Sequence, residues 1–234
     1  MKAVILAAGM GMRMGSPLPK PLTPLTDHQT ILDFQIEKLS CTVGPDRIFI
    51  VVGYKYPLIM DRYPDMIYVY NADYVRTSTA KSLLHALKKI EDEDVLWMNG
   101  DIFFADGLLE RVLRSPLSAC LVDQKNCGEE EVKYNLDRKG FIRELSKKVP
   151  DARGEALGIN LIRRKDLGLF KKELEAVEAK AFFEKALENL TLAGKLRLHP
   201  VDCEGLFCHE IDFEEDLKCV KSFLQKRARP RRKA

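Results

Sequence analysis

An α/β fold, one mixed and mainly parallel sheet flanked by helices, is predicted by three observations on this 234-residue chain. Short β-branched and aliphatic runs alternate with segments of helical period through the first half, the βαβ layout of a parallel sheet. Those runs are apolar at successive positions, as in strands covered on both faces. Beyond about residue 117 the pattern changes to closely spaced strands and a hairpin, which adds antiparallel strands to the parallel core.

The elements follow in order along the chain. Val4, Ile5 and Leu6 open the sheet, and Ile31, Leu32, Phe34, Ile36 and Leu39 lie along one helix face. Residues 48–52 and 66–70 are strands. Leu83, Leu84, Leu87 and Ile90 mark a second helix, with Ser78 or Thr79 available as its N-cap. Residues 95–98 and 117–122 are further strands. Residues 132–136 and 141–145 form a hairpin whose turn is marked by Asp137 and Gly140. A strand over 156–162, a helix from about 166 to 190, a strand-like stretch over 206–212 and a helix over 213–224 complete the series. No internal repeat and no Gly/Ser-rich linker divides the chain. One domain is therefore expected over 1–225, followed by a disordered basic tail over 226–234.

Composition narrows the function. The net charge is +3, but Lys226, Arg227, Arg229, Arg231, Arg232 and Lys233 lie at the extreme C-terminus. Without those six the body carries about −3, so it lacks the basic field of a nucleic-acid binder. No apolar run reaches the roughly 18–20 residues of a membrane span, so no stable membrane association is expected. The apolar run Ala3 to Ala8 stops at Gly9 and is too short for a secretory core, which fits a buried strand. Six cysteines without a C-x-x-C pair point to a reduced, cytoplasmic protein. His28, His85, His199 and His209 show no H-x-x-x-H spacing, and Cys203, Cys208 and His209 lack a second pair at zinc spacing. The acidic run Glu91 to Asp94 reads as a solvated turn.

The loop after the first strand is the most informative stretch: Leu6-Ala7-Ala8-Gly9-Met10-Gly11-Met12-Arg13-Met14-Gly15, then Pro19-Lys20-Pro21-Leu22. Glycines there let the backbone approach a ligand and turn its N–H groups toward a phosphate. The string G-x-x-x-x-G-K-[ST] of a Walker A loop occurs nowhere in the chain. The glycine spacing is G-x-G-x-x-x-G, prolines follow where a dinucleotide fold needs a helix, and the second strand ends in Val52-Gly53 without an acid. What remains is a Gly- and Pro-shaped loop with two cations, Arg13 and Lys20, suited to neutralising a polyphosphate during phosphoryl transfer.

On Leu6-Ala7-Ala8-Gly9-x-Gly11-x-Arg13-Met14 and Pro19-Lys20-Pro21-Leu22, the sequence resembles the nucleotidyltransferases that activate sugar-1-phosphates and related phospho-compounds. The resemblance runs along nearly the whole chain. It implies a Rossmann-like sheet of the nucleotide-diphospho-sugar transferase type, an NTP and a phosphorylated or phosphonylated small molecule as substrates, and Mg²⁺ as cofactor. Arg13 and Lys20 become the catalytic cations. Leu6, Ala8, Gly9, Gly11, Arg13, Lys20, Ser78, Thr79 and Ser82 become the nucleotide contacts. Asn99-Gly100-Asp101 and Glu210-Ile211-Asp212 resemble the family's metal sites, so Asp101 and Asp212 are the implied ligands; two hard carboxylates that leave positions for phosphate and water suit Mg²⁺. Without the resemblance, Asp101 could cap a turn and Asp212 a helix. Lys147, with Lys148 as its alternative, resembles the lysine that holds the acceptor's phosphate, and Glu155 and Glu210 are implied contacts to the acceptor's polar body.

Tyr74 to Leu83 lies where the family reads the base. Its hydroxyls and Ser-Leu helix start resemble the cytidylyltransferases for phosphocholine, inositol-1-phosphate and 2-aminoethylphosphonate, so CTP is the expected nucleotide, with UTP, dTTP or GTP for a sugar phosphate as the alternative. The sole tryptophan, Trp97, sits in a core strand, which counts against an aromatic cage for choline. Residues 145–159 lean toward the aminoethylphosphonate type, with Phe182 or Phe183 as a further frame for the acceptor. A glycosyltransferase would need D-x-D where Asp101-Ile102-Phe103 stands. A non-catalytic nucleotide-binding module would have no use for Arg13, Lys20, Asp101 and Asp212 together. A homodimer is left open.

Overall fold

The structure, a computed structural model, describes residues 1–11, 17–125 and 127–228. Strands β1 (Lys2–Ala7), β2 (Ile48–Val52), β3 (Ile67–Tyr70) and β4 (Val95–Asn99) pair in parallel in the order β4-β1-β2-β3. β9 (Gly154–Ile162) lies antiparallel between β4 and β6 (Ala119–Asp123), and β10 (His199–Asp202) closes that end parallel to β6. A hairpin of β7 (Lys133–Leu136) and β8 (Ile142–Ser146) joins through β7 to β9. β5 (Ile102–Phe104) and β11 (Cys208–Glu210) form a separate antiparallel pair. The expected fold is the one observed: a mainly parallel core with antiparallel additions in the second half.

Strand alternation divides the interior into two cores. Ala3, Ile5 and Ala7 face α1 (Ile31–Val43), α4 (Leu108–Arg114) and α7 (Glu214–Ala228). Val4, Leu6 and Trp97 face α3 (Thr79–Leu87), α5 (Arg164–Ala176) and α6 (Phe183–Leu192). A short α2 (Tyr56–Arg62) follows β2.

Three departures from the sequence reading have physical causes. The single helix expected over 166–190 is two helices, although residues 177–182 have ordinary helix formers. Lys81 Nζ donates to the carbonyls of Leu174, Glu175 and Val177 and so satisfies the end of α5. The carbonyls of Ala179 and Ala181 then accept from the Ser78 and Ala80 N–H groups at the start of α3, at 3.0 and 3.3 Å. Tertiary bonds thus override propensity. β10 escaped notice because it contains Pro200, which only an edge strand tolerates. Finally, α7 continues to Ala228, so Lys226 and Arg227 are helical; residues 229–234 lie outside the described residues.

Helix α1 starts with a capping box: the Asp33 N–H donates to Thr30 Oγ1 (3.2 Å) and the Thr30 N–H to Asp33 Oδ2 (2.7 Å). Burial alone would raise the Asp33 carboxyl, but bonds from Thr30, Arg62 and Tyr63 hold it below its ordinary value. A folded-state value below the unfolded one means the contribution is present above about pH 4 and is lost as pH falls through the folded value. Asp33→Asn is therefore expected to cost about 1 kcal/mol at neutral pH. In urea unfolding at pH 7 and near pH 3, the gap from the unaltered protein should close at the lower pH.

Candidate active site

β1 and β4 end side by side at one edge of the sheet, and the loops leaving them enclose a hollow lined by Gly9, Gly11, Lys20, Pro21, Gly100 and Asp101. Lys20 begins a single 3-10 turn (Lys20–Leu22) with Pro19 as its N-cap, and is only 9% exposed. Its ammonium donates to Asp101 Oδ2 at 2.6 Å and to Asp212 Oδ1 at 2.5 Å. Burial opposes the charge, but Asp101 and then Asp212 outweigh it and hold the ammonium above its ordinary value. Gly11 is at φ +57°, and a Cβ there would lie 2.8 Å from Lys20 Cβ, so the glycine serves both the turn and the seating of the lysine.

Each aspartate is fixed by its own scaffold. The Gly100 N–H donates to the Leu6 carbonyl at 2.9 Å, an approach that a Cβ at 2.7 Å from the same oxygen would block. Gln35 is fully buried on α1 and donates through Nε2 to the carbonyls of Asn99 (2.9 Å) and Ile102 (2.8 Å), clamping both sides of Asp101. Asp212 arrives from the far end of the chain on the β5–β11 pair, where Glu210 is opposite Ile102 and the Ile211 N–H donates to the Asp101 carbonyl at 2.9 Å. Asp216 Oδ2 accepts from the N–H groups of Asp212 and Phe213 at the start of α7. Phe207 and Phe223 stack at 4.2 Å, each edge-on to buried Phe103, and so anchor β11 and α7 to the core.

Asp101 Oδ1 is buried and has no hydrogen-bond partner among the described residues. An unsatisfied carboxylate oxygen beside a second carboxylate is a hard-oxygen donor set that fits a small divalent cation such as Mg²⁺. Among the described residues no group of three or more His, Cys, Asp or Glu side chains is placed to hold a metal. Such an ion would therefore complete its sphere with phosphate and water oxygens. Glu210 opens onto the cleft, yet burial by the surrounding protein, then Asp101 and Asp212, pushes its carboxyl well above the ordinary value.

A second hollow shares Leu6 and Gly9 with the first and extends over Ala8, Ser78, Thr79 and Ser82. Asn71 is fully buried; its Nδ2 donates to Thr77 Oγ1 and Ser82 Oγ, both at 3.0 Å, which sets the shape of the 71–79 loop. Thr79 Oγ1 accepts from the Phe183 N–H at 3.1 Å. Ser78 occupies the N-cap position of α3, but its side chain makes no capping bond.

A third hollow, beyond Asp212, is acidic: Glu130, Glu131, Glu155, Glu210 and Asp216 line it with Lys125. A hollow of about 770 Å³ lies at the opposite edge of the sheet, around Asp94 and Arg163, and is lined by none of these groups.

The structure thus gathers Leu6, Ala8, Gly9, Gly11, Lys20, Ser78, Thr79, Ser82, Asp101 and Asp212 along one cleft, with Glu155 and Glu210 at its acidic end. Arg13 lies outside the described residues. Lys147 does not line the acidic hollow. Its amine pairs with Glu130 at 3.1 Å, and its side chain lines a separate hollow with Phe182 and Lys180. Of the two phenylalanines considered for the acceptor, Phe182 is half exposed at that hollow, whereas Phe183 is buried edge-on to Trp97 at 5.6 Å. Sequence reasoning missed Gln35, Lys125 and Lys180. Gln35 had a signal, a polar residue beside Phe34 and Ile36 in an apolar helix, but Lys125 and Lys180 had none.

A Gly-rich loop, a lysine and two strand-end carboxylates on one sheet edge define a nucleotidyltransferase acting on phosphorylated substrates. The chain belongs to the MobA-like NTP transferase domain family, whose model matches residues 3–163. Dependence on a divalent metal is general in this family. The chain is 26% identical over 218 residues to 2-aminoethylphosphonate cytidylyltransferase of Lancefieldella rimae, covering 87% of this chain and 86% of that protein. It is 32% identical over 213 residues to bifunctional protein GlmU of Methanocaldococcus jannaschii, covering 88% of this chain but 49% of that one. Among solved structures, CTP:phosphocholine cytidylyltransferase from Streptococcus pneumoniae superposes with a TM-score of 0.77 at 18% identity, over 95% of this chain and 98% of that one. The inositol-1-phosphate CTP transferase from T. maritima gives 0.78 at 20% identity, over 96% and 95%. These two likenesses show the fold.

Proposed function

We propose that the protein transfers CMP from CTP to a small phosphorylated or phosphonylated acceptor and releases pyrophosphate. The observation that carries this reading is the Lys20 ammonium hydrogen-bonded to both Asp101 and Asp212 beside the Gly9–Gly11 loop. An oxygen of the acceptor's phosphate or phosphonate attacks the α-phosphorus in line. The new O–P bond forms as the bond to the bridging oxygen of pyrophosphate breaks, so no protein nucleophile is needed. Lys20, with Arg13, neutralises the triphosphate and the departing pyrophosphate. Asp101 and Asp212 would hold Mg²⁺, which when bound supplies further charge neutralisation on the phosphates.

The hydroxyls of Ser78 and Thr79 suit the acceptor-rich edge of cytosine, whereas the Ser78 and Ala80 N–H groups are already bonded to Ala179 and Ala181. The relative named above as a 2-aminoethylphosphonate cytidylyltransferase supports the same choice. Lys147 is assigned the acceptor's phosphate or phosphonate, with Glu155 and Glu210 along its approach. 2-Aminoethylphosphonate is the favoured acceptor.

Pyrophosphate release measured with each of the four NTPs against 2-aminoethylphosphonate, phosphocholine and a panel of sugar-1-phosphates tests the reading. CTP with an amino-phosphonate should turn over fastest. Preference for UTP, dTTP or GTP with a sugar phosphate would replace it with the sugar-activating alternative, toward which the likeness to GlmU points. No release with any pair would overturn it.

A further inference from the structure

The hollow that Lys147 lines has a volume of about 510 Å³ and adjoins the base hollow, Lys180 lining both. Its wall carries Glu184, on the first turn of α6. This side chain is 8% exposed, and its Oε2 has no hydrogen-bond partner among the described residues. An acid on a first helical turn is favoured by the helix dipole, but that effect works as well at the surface and does not account for burial. Burial pushes the carboxyl up to about 7, against its own backbone N–H and the charge of Lys147.

The sheet beneath brings other unsatisfied polar atoms to this face. Trp97, Asn160 and Cys120 are register partners across β4, β9 and β6. Trp97 and Cys120 belong to the core that faces α6, and burial together with the charge of Glu184 raises the Cys120 thiol. Trp97 Nε1 and both polar side-chain atoms of Asn160 lack partners among the described residues. Buried polar atoms are nearly always satisfied, so these orphans make a polar patch in the core beneath α6; they do not line the hollow, and of the unpartnered groups on this face Glu184 is the one in its wall.

The carboxylates of the acidic hollow are differently placed, except Glu131, whose Oε2 is likewise buried without a hydrogen-bond partner among the described residues. Glu155 pairs with Lys125 at 2.5 Å, Glu130 with Lys147, and Asp212 with Lys20. Asp216 accepts from the start of α7 and meets His209 at 3.1 Å. Around Glu184, by contrast, Lys147 and Lys185 are taken by Glu130 and Glu188, and no described cation pairs with it. Its charge nevertheless reaches Glu210, at the edge of the aspartate pair.

We propose that Glu184 is the specificity residue of the acceptor site, taking the cationic amine of a small amino-phosphonate or amino-phosphate whose anionic end lies toward Lys147. This rests on the transfer reading above and adds the residue that selects the acceptor's charge. A buried carboxylate gains most from a ligand that brings its own ammonium, and a neutral isostere leaves it unpaired.

Titration calorimetry tests this without turnover, by comparing 2-aminoethylphosphonate with its isostere 2-hydroxyethylphosphonate. The unaltered protein should bind the amine about 30-fold or more tighter, and Glu184→Gln should bring the two within about threefold. In the same variant the KM for CTP should stay unchanged. Equal binding of both compounds by the unaltered protein overturns the proposal whether or not the variant folds, and so does a folded variant that keeps the preference. Pyrophosphate assays on the same samples separate the two readings. Preference for the amine without pyrophosphate release from any NTP leaves Glu184 assigned and removes the transfer reading. Release without that preference does the reverse.

Discussion

Lys20→Ala is expected to lower kcat/KM for nucleotidyl transfer by about 10³-fold, the loss typical of removing a preorganised donor to developing charge. The residue is buried on a rigid turn, so its ammonium is held in position before the triphosphate arrives. A second effect runs in the opposite direction. The ammonium lies between the two carboxylates that would hold the metal, so it competes with a divalent cation for the same oxygens. Free Lys20→Ala protein should therefore bind Mn²⁺ tighter than the unaltered protein, by about tenfold or more. Rates from pyrophosphate release and affinities from Mn²⁺ titration give the two halves. Weaker Mn²⁺ binding together with lost activity would mean that the lysine only holds the aspartates in place.

Much of this site was legible because its chemistry sits at strand ends that apolar runs announce. Residues 4–6 and 95–98 read as buried parallel strands, and the ends of such strands are where the loops bearing Lys20 and Asp101 emerge. The convergence of Asp212 on Asp101 was not legible from periodicity. It depends on the pairing of β11, which lies inside the strand-like stretch read over 206–212, with β5, a three-residue strand too short to show a pattern, and on a Phe103–Phe207–Phe223 contact between distant segments. The resemblance carried Asp212 instead. The wall around Glu184 was hidden for another reason. Residues from about 166 to 190 read as one continuous helix, and only the carbonyl bonds to Lys81, Ser78 and Ala80 reveal where α5 stops and α6 begins. A helix drawn straight through that break places Lys180, Phe182 and Glu184 on faces they do not occupy.

Asp101→Asn should reduce kcat by about 10³-fold or more and should exceed the effect of Asp212→Asn. Both substitutions keep shape and volume and remove one charge from the pair. Asp101, however, is gripped from both sides by Gln35, and its loop is locked to Leu6 through Gly100. A neighbour therefore cannot move into its place. Asp212 stands at the start of α7, where Asp216 holds the backbone and the side chain is more open, 30% exposed against 20% for Asp101. Lys20 keeps one carboxylate partner in either variant, so the thermal midpoint should shift by only a few degrees. A midpoint collapse in Asp101→Asn would make the residue a structural counter-ion of Lys20. Near-normal turnover with the fold intact would remove it from the reaction.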